Sequence, residues 1–320
     1  MTELKIISGS SHPQLAKKVS KMLDKPLTTA QISQFADGEK YVRIEQNVRG
    51  DDVYIIQPIS QPVNDTLMET LIMVDALKRA SVKKVIVVAP YFGYQRQDRK
   101  AKSREPITAK LVANLLTKAG VDRLCTFDLH QDQIQGFFDI PVDHFKAVPI
   151  FAKYFAEKQL KDLVIVTPDV GGTKRARDLA NLLNSPIAII HKVREEHNKS
   201  KILNLVGEVA GKNAIIIDDI VDTAGTISNA ATHIKNQRAK SVYICATHAL
   251  LNGDAVKKLN KCPAKEVLFI DTIPTEKNKK IDKMHILPIH EIIAEMIRRI
   301  NNDESLSHLM QNIRDNINGG

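Results

Sequence analysis

Short, continuous apolar runs rich in β-branched residues recur along the whole chain. Most are followed by a longer helix-like stretch, and this alternation limits the possible folds more than any other feature. The runs cover residues 5–7, 53–56, 85–88, 124–127, 163–166, 187–190, 214–217, 242–246 and 267–270. Between most of them lie helix-like segments at 13–23, 65–80, 107–119, 148–158, 173–183 and 226–236, with a last helix expected over 290–301. Continuous rather than alternating apolar strands predict sheets buried on both faces. Strand–helix alternation predicts parallel βαβ units and an α/β fold. Residues 35–44 alternate more and read as a hairpin or edge strand.

A chain of 320 residues is long enough for two domains, each with its own core. A weak internal echo supports that division. Gly50-Asp-Asp followed by an apolar run, Asn64-Asp65-Thr66 and Arg79-Ala80 matches Gly211-Lys-Asn followed by an apolar run, Asp222-Thr223 and Arg238-Ala239. Corresponding positions lie about half a chain length apart, which places the junction near Pro141 and Pro149. The expected domains are 1–146 and 147–320.

Composition narrows the functional classes. A hydrophobic share of 43% and a charged share of 26% exclude a disordered, collagen-like or purely coiled-coil chain. No apolar run approaches the ~20 residues that span a bilayer, so no membrane partner is expected. MTELKIISGSSHPQL shows no basic segment followed by an apolar one, so no signal peptide is expected. Cys125, Cys245 and Cys262 are odd in number and widely spaced, which argues against a disulfide framework or a zinc site and favours a cytoplasmic protein. With 46 Lys and Arg against 37 Asp and Glu the formal charge is +9, which admits a polyanion or small phosphorylated ligands. The chain lacks a basic helix or an aromatic–basic sheet motif, so no nucleic-acid partner is expected.

The most informative string is Ile215-Ile-Ile-Asp218-Asp219-Ile-Val-Asp222-Thr223-Ala224-Gly225-Thr226. An apolar strand ends in acids, and a short Thr- and Gly-containing loop leads into a helix. In open α/β sheets ligands bind at the carboxyl ends of strands. A Gly-containing loop at a helix N-terminus offers convergent N–H groups to a phosphate. Carboxylates beside such a cradle suit sugar hydroxyls, or the cation that accompanies a pyrophosphate. Three acids and two threonines in nine residues exceed what helix capping needs. The loop therefore reads as a sugar-phosphate site.

Further groups surround it in the sequence. Pro90-Tyr-Phe-Gly-Tyr-Gln-Arg96-Gln97-Asp98-Arg99-Lys100 follows a strand, and five cations with one acid lie between Arg96 and Arg104. Aromatic rings beside clustered arginines fit a purine and its phosphates. Phe35-Ala-Asp37-Gly38-Glu39 is a second candidate nucleotide contact. In Asp128-Leu-His130-Gln-Asp132, alternate residues share one side if the segment is extended. One His with a distant carboxylate, Asp169, is too sparse for zinc and suits Mg²⁺ completed by water and phosphates. Gly171 and Gly172 allow close backbone approach to a phosphate. Lys192 and Arg194 follow the strand 187–190 and can reach different oxygens of one polyphosphate.

The Asp218–Thr226 string resembles the phosphoribosyl-pyrophosphate loop of type I phosphoribosyltransferases and their relatives. FADGE together with PYFGYQRQDRK resembles the ribose-phosphate pyrophosphokinase family more specifically, and DLHQD, PDVGG and His191-Lys192-Val-Arg194 extend the likeness over nearly the whole chain. The resemblance implies two similar domains of the type I phosphoribosyltransferase fold, each a mostly parallel sheet flanked by helices. It implies a transferase of nucleotide biosynthesis that moves the diphosphoryl group of ATP to ribose 5-phosphate. Phe35, Asp37, Gly38, Glu39, Arg96, Gln97, Asp98 and Arg99 would hold ATP, the first four on a neighbouring subunit. Arg194, Asp218, Asp219, Asp222, Thr223, Ala224, Gly225 and Thr226 would hold ribose 5-phosphate. His130 and Asp169 would hold Mg²⁺, and Lys192 and Arg194 would be catalytic. The resemblance also implies a homo-oligomer, specifically a hexamer, with phosphate and ADP as allosteric effectors at Arg49, Gln135, Asp143 and the 305–310 tail. Val193 and Glu195-Glu196-His197 depart from the family's KRR and Pro-Arg-Pro pattern, and Asn47 and Met310 from its Ser and Phe. A catalytically weak regulatory paralogue and a phosphoribosyltransferase are the alternatives.

Overall fold

The computed structural model describes residues 2–193 and 202–307, together with Leu309 and Gln311. It divides into two compact units. Among the described residues the first holds 2–146, 272–274, 288–307 and Leu309; the second holds 147–193, 202–271, 275–287 and Gln311. Neither unit is one continuous stretch of chain. Residues 288–309 return to the first unit.

In the first unit, β1 (Leu4–Ser8), β4 (Asp52–Ile56), β5 (Lys84–Val88), β6 (Arg123–Phe127) and β7 (Val142–Phe145) form one sheet in that order, with every pairing parallel. Helices α1 (Pro13–Met22), α2 (Val63–Arg79) and α3 (Thr108–Ala119) connect them. All five residues of β4 are buried, as a strand covered on both faces requires. Between α1 and β4 the chain forms an antiparallel hairpin, β2 (Ala30–Gln34) and β3 (Lys40–Ile44); its turn and second strand fall in 35–44, the stretch that reads as a hairpin or edge strand, and β2 precedes it.

The second unit repeats the plan. Strands β8 (Leu163–Thr167), β11 (Asn213–Val221), β12 (Ser241–Ala249), β13 (Glu266–Ile270) and β14 (Met284–Leu287) run parallel in that order. Helices α5 (Thr173–Leu182), α6 (Gly225–Asn236) and α7 (Ala255–Lys261) connect the first four strands. Between α5 and β11 lies a second antiparallel pair, β9 (Ile187–Val193) and β10 (Ile202–Val206), which joins the sheet through β8. The echo in the sequence is thus a repeat of topology, and β2–β3 occupies the chain position of β9–β10.

Each unit gains one more helix. Helix α4 (Val148–Glu157) packs on α5 in the second unit, and α8 (His290–Asn301) packs on α1 in the first. The core of the first unit includes Ile55, Met73, Val87 and Phe92. That of the second includes Val166, Ile216, Ile244 and Phe269. Among the described residues no helix is long and apolar enough to cross a membrane, and the three cysteines are free and buried.

Candidate active site

In the second unit the chemistry gathers where β8 and β11 end. Ile216 pairs with Val166, so Asp169 and the acids of β11 leave adjacent parallel strands. The strand is longer than the apolar run suggests. It continues through Val221 because Asp218, Ile220 and Val221 pair with Ala246, His248 and Ala249 of β12. Asp218 and Asp219 therefore sit within the strand rather than beyond it. Arg175, from the first turns of α5, places its Nη1 3.8 Å from Asp218 Oδ1 and 3.5 Å from Asp219 Oδ1. Burial, and then the charge of Asp219, push the Asp218 carboxyl well above the usual carboxylate range, while Arg175 pulls the other way. Asp169 also raises it, which marks the three acids as one electrostatic group.

The loop after β11 has a built geometry. Ala224 adopts a left-handed conformation at φ 57°, which turns the chain into α6. The first N–H groups of α6 are among those without partners within their own helix. Asn252 holds the loop from the β12–α7 connection: its Nδ2 donates to Asp222 Oδ1 at 2.8 Å and its N–H to Asp222 O at 2.9 Å. Lys258 of α7 donates from Nζ to Thr223 O at 3.1 Å. Gly225 and Thr226 open α6. The expected sugar-phosphate residues Asp222, Thr223, Ala224, Gly225 and Thr226 thus form one turn beside Asp218 and Asp219.

Asp169 is exposed and caps its own turn, with Oδ1 accepting from Gly172 N–H at 3.1 Å. A Cβ on Gly172 would lie 2.5 Å from Thr167 Oγ1, so this turn requires glycine. Lys192 lies inside β9, opposite Leu203, rather than after the strand. Arg194, Glu195, Glu196, His197 and Met310 lie outside the described residues.

The first unit carries the other groups. Phe35, Asp37, Gly38 and Glu39 form the exposed tip of the β2–β3 hairpin. Phe35 N–H donates to Glu39 O at 2.8 Å, Glu39 N–H to Asp37 Oδ1 at 3.1 Å, and Gly38 takes φ 97°. Arg96, Gln97 and Arg99 are exposed in the loop after β5, with Asp98 half-buried. Gln97 secures this loop to α3: its carbonyl accepts Ala109 N–H at 3.1 Å and its Oε1 accepts Thr108 Oγ1–H at 2.6 Å. Fully buried Gln95 accepts His130 N–H at 2.7 Å, joining the arginine loop to the His130 segment.

The segment around His130 is not extended. Asp128 is buried with φ 33°, and Asp132 opens a 3₁₀ turn and pairs with Lys146. Asp128, His130 and Asp132 do not share one side of a strand, because β6 ends at Phe127. His144 accepts Leu129 N–H on Nε2 at 2.9 Å, leaving Nδ1 toward Asp132. Among the described residues no three His, Cys, Asp or Glu side chains are clustered to hold a metal. Arg49 N–H donates to Asn47 Oδ1, Gln135 to Asp132 O, and Asp143 pairs with Arg123 at 2.7 Å.

Asn252, Lys258 and Lys146 are neighbours of the candidate site residues that the motifs do not reveal, whereas Gln95 lies within the Pro90–Lys100 string. Asn252 and Lys258 lie 30 and 35 residues from the groups they hold, so no local spacing announces them.

Comparison with known proteins adds the decisive observation. Residues 4–120 match the N-terminal domain of ribose phosphate pyrophosphokinase, and 193–311 match the phosphoribosyl synthetase-associated domain. The ribose-phosphate pyrophosphokinase of Fusobacterium nucleatum is 54% identical over 96% of this chain and 98% of its own length. The chain belongs to the ribose-phosphate pyrophosphokinase family. The pyrophosphokinase of Bacillus caldolyticus is 52% identical over 96% of this chain and 98% of its own length. The crystal structure of phosphoribosylpyrophosphate synthetase from Mycobacterium smegmatis superposes with a TM-score of 0.91 at 41% identity, covering 94% of this chain and all of that one. The pyrophosphokinase family therefore accounts for both units and not just for the loop after β11.

Proposed function

We propose that this chain transfers the β,γ-diphosphoryl group of ATP to the C1 hydroxyl of ribose 5-phosphate, giving phosphoribosyl pyrophosphate and AMP for nucleotide biosynthesis. The observation that carries the reading is the left-handed turn at Ala224, which opens α6 beside half-buried Asp218 and buried Asp219. The turn N–H groups and Thr223 and Thr226 hold the 5-phosphate, with the helix dipole aiding the anion. Asp222 is held by Asn252 and, with Asp218 and Asp219, faces ribose hydroxyls.

Arg96, Gln97, Asp98 and Arg99 hold ATP, with the Phe35–Glu39 tip contributed by a neighbouring subunit of a homo-oligomer, a hexamer in this reading. Lys192 and Arg194 neutralise charge that builds on the transferred group and on leaving AMP. Fixed in-line placement supplies much of the remaining rate. Mg²⁺ is the proposed metal, with His130, half-buried in the first unit, and Asp169, an exposed carboxylate in the second, each offering it a donor. Bound there, Mg²⁺ would neutralise polyphosphate charge. Phosphate and ADP act as effectors at Arg49, Gln135 and Asp143, and the free buried cysteines suit a cytoplasmic setting.

The test is AMP release from Mg-ATP with and without ribose 5-phosphate. Release only with the sugar phosphate supports the reading. Base-dependent pyrophosphate release without ATP would instead establish a phosphoribosyltransferase. Lys192→Ala is expected to lower kcat by roughly 10²–10³, and a near-unchanged kcat removes Lys192 from the mechanism. Asp222→Ala is expected to raise KM for ribose 5-phosphate, and an unchanged KM rejects that assignment. Rates indifferent to phosphate and ADP would reject the effector roles.

A further inference from the structure

Along β3 the residues Lys40, Val42 and Ile44 are half-buried, while Tyr41 and Arg43 between them are exposed. Val42 and Ile44, with Ile32 of β2, pack against the core of the first unit. A lysine on that inward face needs an anion, and Glu69 of α2 supplies it. Lys40 Nζ lies 3.7 Å from Glu69 Oε2, with the side chains 17% and 0% exposed.

Glu69 is also held from two other segments. Ser10, in the loop between β1 and α1, donates to it from N–H at 2.7 Å and from Oγ at 2.6 Å. Gln57, just beyond β4, donates from Nε2 at 2.9 Å. Gln57 is itself fully buried and accepts Ser11 N–H at 3.0 Å and Ser11 Oγ–H at 2.6 Å. A Cβ on Gly9 would lie 2.2 Å from Gln57 Oε1, so the loop closes over this carboxylate with no room for a side chain at that position. Four segments meet at one buried acid. Lys40 pairs with Gln34 at the last register position before the exposed tip, which makes it the inward anchor nearest Phe35–Glu39.

We infer that the Lys40–Glu69 pair is a positioning device for the reaction, setting the pose in which the Phe35–Glu39 tip meets ATP. This rests on the assignment of that tip to ATP. The two partners differ as targets. Without the Lys40 charge, Glu69 keeps its three other donors, Ser10 N–H, Ser10 Oγ and Gln57 Nε2, while the tip loses its anchor. Without Glu69, both Ser10 donors and Lys40 lose their partner, and stability suffers as well. Lys40 variants therefore carry the test.

The experiment is steady-state kinetics on the full-length protein with Lys40→Met, Lys40→Arg, Glu69→Gln, the double variant Lys40→Met/Glu69→Gln, and Asp37→Ala in the tip itself. Lys40→Met is expected to raise KM for ATP about 5- to 20-fold, the coupling scale of neighbouring charged groups. Its kcat and its KM for ribose 5-phosphate should stay within about twofold. Lys40→Arg should restore KM for ATP, and the double variant should be no worse than the worse single variant, as a shared interaction requires. If Lys40→Met leaves KM for ATP unchanged while Asp37→Ala raises it, the tip binds ATP without this anchor and the inference is overturned. If Asp37→Ala also has no effect, the ATP assignment of the tip fails, and the inference with it. Equal losses toward both substrates would mark general structural damage and reject it too.

Discussion

Asp218 holds its proton at pH values where the same residue in the unfolded chain has lost it. Burial is the larger cause and the Asp219 charge the next, with Arg175 offsetting part of both. Between the ordinary carboxylate value, about 3.9, and the raised folded value, the native state binds more protons than the unfolded one. Stability therefore falls as pH rises through that window, and above it the full penalty remains. Below both values the group is neutral in both states and contributes nothing. Asp218→Asn removes the titration, so in EDTA its melting temperature should exceed that of the parent at pH 7–8 and converge with it near pH 3. A lower melting temperature for the variant at pH 7–8 would show that the Arg175 contacts outweigh burial. The acids and threonines of this site are legible as residue types at a strand end. Their electrostatic state is not, because it depends on Arg175 and Asp169, which reach Asp218 only through the pairing of β8 with β11.

At the scale of elements, the last helix of the chain shows how local spacing can suffice. Helix α8 covers the residues its pattern predicts, with Ile293, Ala294, Met296 and Ile297 buried along one stripe. Its final turn carries a charge network: Arg298 Nε and Nη2 donate to the Glu295 carboxylate at 2.7 and 2.8 Å, and Arg299 Nε donates to it at 2.6 Å. The hydrogen bonds from Arg298 lead the causes that hold Glu295 down to about 2. A depressed acid stabilises the fold above its unfolded value and loses that contribution as pH falls toward about 2. Glu295→Gln should lower the melting temperature by roughly 1–3 °C at pH 7, the scale of a partly exposed network. The difference should vanish near pH 2, and a pH-independent difference would assign the effect to packing instead. Strand ends are less legible than this helix. β9 continues through Lys192 and Val193, and β11 through Asp218–Val221, because Leu203, Ile202 and the β12 edge offer pairing partners that hydropathy does not see. Asp128, His130 and Asp132 would share one side only on an extended segment, and the chain instead bends at Asp128 and enters a 3₁₀ turn.

Across the whole molecule, the C-terminal helix stabilises the unit built from the N-terminal residues. Ile297 is fully buried on α8, which packs on α1. Ile297→Ala should cost about 2–5 kcal/mol. Hydrogen exchange should quicken in β1 and α1 while β12 and β13 keep their protection. Uniform quickening in both units would contradict the assignment of α8 to the first unit. Read alone, the residues specify the α/β class, an approximate halfway repeat, a hairpin or edge strand at 35–44 and the residue types of the candidate site. Those properties reside in local periodicity and in short strings whose neighbours are close along the chain. Folding alone gathers residues 288–309 into the first unit, sets Asn252 and Lys258 against the loop after β11, and brings Lys40 to a buried Glu69. Each of these joins groups that are distant in sequence, and their contact exists only once parallel strands and their covering helices have set the spacing between them.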